Sequence, residues 1–68
     1  MLKFSPRECQ VIQNLIDGGT RKTFAAEHGL KKATVSEYVR RAKEKAAAVN
    51  VGQLCVIYWR LNNEDTNL

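Results

Sequence analysis

Two glycine breaks set the architecture of this chain of 68 residues. Gly18-Gly19 and Gly29 interrupt stretches whose apolar residues recur with helical spacing. Glycine enters the left-handed conformation cheaply, so each break ends a helix. Ser5-Pro6-Arg7-Glu8 opens the first helix. Ser5 caps free N–H groups, Pro6 sits where its missing N–H costs nothing, and Glu8 completes a capping box. Val11, Ile12, Leu15 and Ile16 then follow one face. Thr20 is a second cap, and Phe24, Ala25 and His28 share a face behind it. The expected helices span 6–17, 21–28, 31–47 and 51–61. The expectation is an all-α, four-helix domain over residues 1–61 with a polar, acidic and frayed tail over 62–68.

The third helix divides cleanly. With Val35 at zero and a turn of about 100° per residue, Val39, Ala42 and Ala46 lie within about 40° of it. Ala33, Glu37, Arg40 and Glu44 lie opposite, with Thr34, Ser36 and Arg41 on the flanks. Ala25, Gly29 and Val35 meet the steric needs of a helix-turn-helix. Ala25 is small where two helices cross, Gly29 turns the chain, and Val35 points back into the crossing.

Size and composition narrow the function. A chain this short buries only about 60% of its unfolded surface, so its own core is marginal. The formal charge is +4, and it is unevenly spread. Residues 1–61 hold eleven bases against five acids, a net +6, while Glu64 and Asp65 lie in the tail. Residues 31–45 hold six bases and two acids. That excess suits a polyanion partner. No apolar run approaches the roughly 20 residues of a membrane span, and the start lacks a signal peptide's apolar stretch. Cys9 and Cys55 have no CxxC spacing and His28 is the sole histidine, so neither a disulfide framework nor a zinc site is expected. No Gly-rich phosphate loop is present, and no catalytic set, metal or cofactor is expected.

Several segments together resemble the LuxR-type (GerE-like) DNA-binding domain. They are Ser5-Pro6-Arg7-Glu8-Cys9-Gln10-Val11-Ile12, Asp17-Gly18-Gly19-Thr20-Arg21-Lys22-Thr23-Phe24-Ala25 and Gly29-Leu30-Lys31-Lys32-Ala33-Thr34-Val35. Lys43-Glu44-Lys45 and the stretch 51–61 extend the similarity across about Phe4 to Leu61. The resemblance implies a four-helix transcription-regulating domain that binds double-stranded DNA as a dimer, with 31–47 as recognition helix. A cytoplasmic, nucleoid-associated and free-standing regulator of bacterial, phage or plasmid origin is the expectation.

A recognition helix presents its outward face to base edges in the major groove. That face holds Ser36, Glu37 and Arg40, which match the family's base-reading positions. Arg40 suits guanine O6 and N7. Ser36 stands where the family often has lysine. Glu37 either meets the DNA, accepting from cytosine N4 or repelling wrong registers, or pairs with Arg41 on a solvated face. Phosphate contacts are expected from Thr20, Lys22, Lys32, Thr34 and Arg41. Lys43 and Lys45 are expected to be solvated. Tyr38 replaces the family's common histidine and is expected to pack against the first helix. Glu8 is expected to be structural, and in the family a glutamate there often meets a base of the third helix. His28 and Cys9 are expected to pack inward.

The fourth helix carries an apolar surplus. Leu54, Ile57, Tyr58 and Leu61 are expected on the core, which leaves Cys55, Val56 and Trp59 facing outward. An exposed patch of that kind calls for cover. The family's fourth helix is a dimer contact, so Cys55, Val56 and Trp59 are the expected homodimer interface. The alternative is that Trp59 caps the core of a monomer. Ala46-Ala47-Ala48 replaces the family's Leu-Gly-Val, which suggests a longer third helix in place of the loop. The competing function is a protein-interaction module that holds RNA polymerase or another regulator with the same fold.

Overall fold

The structure is a computed structural model that describes residues 3–63. Among the described residues it contains four helices and no strand, as an all-α domain requires. They are α1 (Pro6–Ile16), α2 (Arg21–His28), α3 (Lys32–Ala46) and α4 (Val51–Asn63).

Three helices begin on side-chain caps, two of them reciprocal. Ser5 Oγ accepts from the Glu8 N–H at 3.2 Å, and Glu8 Oε1 accepts from the Ser5 N–H at 2.9 Å. Thr20 and Thr23 exchange the same two bonds at 3.1 and 2.9 Å. Before α4, Asn50 Oδ1 accepts from the Gln53 N–H at 2.8 Å, and Gln53 Oε1 accepts from the Val49 N–H at 2.6 Å. Asn50…Gln53 is thus a capping pair that the reading of the sequence passed over. α3 starts without a side-chain cap, on the extended backbone of Lys31.

The helix ends correct the expected bounds. α1 stops at Ile16, one residue before the expected 17. Gly29 is left-handed at φ 64°, and the Leu30 N–H reaches back to the Ala25 carbonyl at 2.8 Å. This is the sharp turn between α2 and α3. α3 covers 32–46 rather than 31–47, so the Ala46-Ala47-Ala48 run does not lengthen it. Ala47 takes φ 54° instead, and the Ala48 N–H closes on the Lys43 carbonyl at 2.9 Å. A turn of glycine type is therefore made here without glycine. α4 runs on through Asn62 and Asn63, which were expected to fray. Their side-chain amides fold back on the helix and donate to the carbonyls of Tyr58 and Trp59, at 2.9 and 2.8 Å. The remainder of the expected tail, with Glu64 and Asp65, lies outside the described residues.

The core joins Val11 and Ile12 of α1, Phe24 and Ala25 of α2, Val35, Val39 and Ala42 of α3, and Leu54 and Tyr58 of α4. α1 and α3 each pack on all the other helices, whereas α2 and α4 do not pack on one another. α3 is thus held from three sides along its apolar stripe, and its opposite face stays in solvent.

Four side chains depart from expectation, among them Ile57, which is half-buried but not packed against the core. His28 is exposed rather than packed inward. Phe24 takes the buried place, and the His28 ring stacks on it with centroids 4.1 Å apart. Leu61 is 44% exposed rather than on the core. Cys55 is half-buried and packs against the core instead of facing outward. At about 100° from Leu54 around α4, it sits on the edge of the inward face.

Candidate nucleic-acid interface

The outward face of α3 carries Ser36, Glu37, Arg40 and Glu44, with Arg41 beside them. Ser36 and Glu37 are half-buried, and Arg40, Arg41 and Glu44 are exposed. The helix repeat brings the charged members into one ion-pair cluster. Arg40 Nε donates to Glu37 Oε2 at 3.1 Å, and its Nη2 donates to Glu37 Oε1. Its Nη1 donates to Glu44 Oε1. Arg41 Nε stands 3.4 Å from Glu37 Oε1. The expected Glu37–Arg41 pair is therefore present, and Glu37 also takes a two-pronged hold on Arg40. The hydrogen bond from Arg40 keeps the Glu37 carboxyl below its ordinary pKa, with the charges of Arg40 and Arg41 adding to it. Glu37 in turn raises Arg40, with help from Glu44.

The expected phosphate contacts fall at two helix starts and one flank. Lys32 and Thr34 lie in the first turn of α3, Lys32 exposed and Thr34 half-buried. Thr20 caps α2 and Lys22 lies in its first turn, both exposed. Thr20 is partly occupied, because its hydroxyl and N–H are bound by Thr23. No polar contact ties Lys22 or Lys32 to a carboxylate among the described residues.

Lys45 corrects the expectation of a solvated side chain. Its Nζ donates to Glu8 Oε1 at 2.7 Å, although the lysine side chain remains 41% exposed. Glu8 is almost wholly buried. Burial pushes the Glu8 carboxyl up, but the bonds from Lys45 and Ser5 and the Lys45 charge outweigh it, and the pKa lies below the ordinary 4.5. Glu8 thus caps α1 and fixes the far end of α3 with one carboxylate, and Lys45 is the base of the third helix that the family resemblance called for. Tyr38 is half-buried against the core, and it lines a groove of about 390 Å³ with Ser5, Glu8, Arg41, Glu44 and Lys45. The packing role expected of Tyr38 matches that position.

On α4, Val56 is 49% and Trp59 54% exposed. Both lie at about 140–200° from Leu54, on the side away from the core. Trp59 does not cap the monomer core. Burial pushes the Cys55 thiol up, as its turn toward the core requires. Among the described residues no group of three potential metal ligands occurs, and no helix is long and apolar enough to cross a membrane.

A tight glycine turn between α2 and α3, with the polar face of α3 turned to solvent, defines a helix-turn-helix domain. The family model of the bacterial regulatory proteins of the luxR family, GerE, matches residues 2–58, and the chain belongs to that family. It is a family of DNA-binding transcription regulators. Comparison with curated proteins and with solved structures finds no match.

Proposed function

We propose that this domain binds double-stranded DNA sequence-specifically as a homodimer and regulates transcription, with α3 of each copy in a major groove. Ser36, Glu37 and Arg40 meet base edges, and Thr20, Lys22, Lys32, Thr34 and Arg41 meet phosphates and sugars. Val56 and Trp59 form the centre of the dimer contact, with Cys55 at its edge. The observation that carries this reading is the solvent-facing stripe Ser36–Glu37–Arg40 on a helix fixed from behind by three others. Major-groove readers of this kind place half-sites about one turn apart. Such a regulator works in the cytoplasm, on the nucleoid.

The test is a gel shift with the Arg40→Ala variant. Replacing a guanine-reading arginine weakens specific binding by roughly 1–3 kcal/mol and relaxes preference at that base. Unchanged affinity and unchanged preference remove Arg40 from the reading set.

The second reading is a protein-interaction module that holds RNA polymerase or another regulator. Glu37 and Glu44 favour it, because two carboxylates on the reading face repel phosphates. No shift of random duplex at low salt is its signature, whereas a DNA reader binds such duplex weakly and loses it as salt rises.

A further inference from the structure

Glu44 has no role in the DNA reading above, yet it touches the residue at its centre. It stands one helical turn beyond Arg40 on the face opposite Val35. Its carboxylate takes Arg40 Nη1. Glu37 takes Nε at 3.1 Å and also Nη2. All three guanidinium nitrogens therefore donate within the helix. Arg41 leans on Glu37 at 3.4 Å. Glu37, Arg40, Arg41 and Glu44 together carry two positive and two negative charges. This patch is neutral on a domain whose residues 1–61 carry eleven bases against five acids, a net +6.

A neutral patch at the reading position changes what Arg40 can meet. A phosphate offers only acceptors. To take Arg40 it must displace a carboxylate and leave that carboxylate facing the negative backbone. A guanine accepts two parallel N–H groups at O6 and N7. A fork on the Nε edge competes with Glu37, and one on the Nη pair competes with Glu44 at Nη1 and with Glu37 at Nη2. The cytosine N4 amino group is a donor, and a displaced carboxylate can accept from it. A step that offers guanine beside such a donor satisfies both partners of the opened pair. A phosphate satisfies only one.

We propose that Glu44, with Glu37, is a specificity-determining clamp that lowers sequence-independent DNA affinity and reserves Arg40 for guanine beside a cytosine amino group. This rests on Arg40 reading DNA and goes beyond it by assigning Glu44. The clamp discriminates by opposing the wrong contact as much as by favouring the right one.

The test measures salt-dependent binding of Glu44→Gln, Arg40→Ala, the double variant and Glu27→Gln. Glu27 is an exposed acid on α2 and serves as the control for bulk charge. The probes are a random-sequence duplex and the duplex that the unsubstituted protein enriches from a random pool. Glu44→Gln should bind random duplex roughly 3- to 10-fold more tightly at low salt, with a salt slope steeper by about 1. The enriched duplex should gain less, so the specificity ratio falls. Removing Arg40 should abolish the gain, and Glu27→Gln should leave the ratio unchanged. An unaltered ratio in Glu44→Gln overturns the clamp. So does an equal gain without Arg40 or in Glu27→Gln. If Arg40→Ala itself keeps full sequence preference, the base-reading assignment fails and the clamp goes with it. If Arg40→Ala loses preference while Glu44→Gln changes nothing, the clamp alone fails.

Discussion

Ala47 holds a left-handed backbone at φ 54°, a conformation that costs an L side chain roughly 1–2 kcal/mol. Glycine is free of that strain, though its greater freedom in the unfolded chain offsets part of the gain. Ala47→Gly should stabilise the domain by about 0.5–1 kcal/mol and raise Tm by a few degrees in a thermal melt. A lower Tm would show that the turn does not strain alanine. Lys45 carries the opposite prediction. Lys45→Ala leaves the buried Glu8 carboxylate with Ser5 as its remaining partner and should cost about 1–2 kcal/mol, less than a fully buried pair because Lys45 is partly solvated. The sign of the pH dependence follows from the lowered pKa of Glu8. A depressed carboxylate adds stability above its unfolded pKa and loses it as pH falls through the folded value. The Lys45→Ala deficit should therefore be full above the ordinary 4.5 and shrink in acid below it. Urea melts at neutral and acidic pH measure this, and a deficit that grows in acid contradicts it.

At the scale of helices, the starts of α1 and α2 were easier to read than the end of α3. Ser5…Glu8 and Thr20…Thr23 are short-range caps whose partners lie three residues apart. Their bonds depend on local sequence, so the sequence exposes them. The end of α3 depends instead on the path to α4, which packs on both α1 and α3. Three alanines favour a helix, yet packing turns the chain at Ala47. Around α4, residue spacing found Leu54 and Tyr58 but misplaced Cys55, Ile57 and Leu61. Helical angle fixes a face, whereas the direction from which α1 and α3 approach decides how wide the buried part is. Val56 and Trp59 remain outside by either measure, and they carry the prediction at this scale. Trp59→Lys should shift the protein toward monomer in sedimentation equilibrium and weaken binding to a two-part site, with the melting temperature of the fold little changed. Leu54→Ala should do the reverse, costing about 2–5 kcal/mol of stability through a core cavity. A wild-type protein that is monomeric at every concentration and on DNA would contradict the dimer contact.

For the whole molecule, the four-helix fold was legible from spaced caps, glycines and the apolar stripe, and the luxR family from the resemblance of whole segments. The outward face of α3 was legible too, because helix periodicity alone places Ser36, Glu37 and Arg40 together. The clamp was not. Its members were in view, but the choice of Arg40 over Arg41 as the main partner of Glu37 depends on side-chain geometry. The Glu8–Lys45 pair joins residues 37 positions apart, beyond any local pattern. Charge gives a further prediction. If Lys22, Lys32 and Arg41 of each copy neutralise phosphates, a dimer should show a log–log salt slope of roughly −5. A slope near zero removes the phosphate assignments. The most direct test of DNA reading by α3 is selection of bound sequences from random duplex by the purified protein, run beside Arg40→Ala. The expected result is an enriched two-part site, half-sites about one turn apart, with preference lost at a guanine in the variant. No enrichment by the unsubstituted protein at low salt, with no shifted duplex, would contradict it.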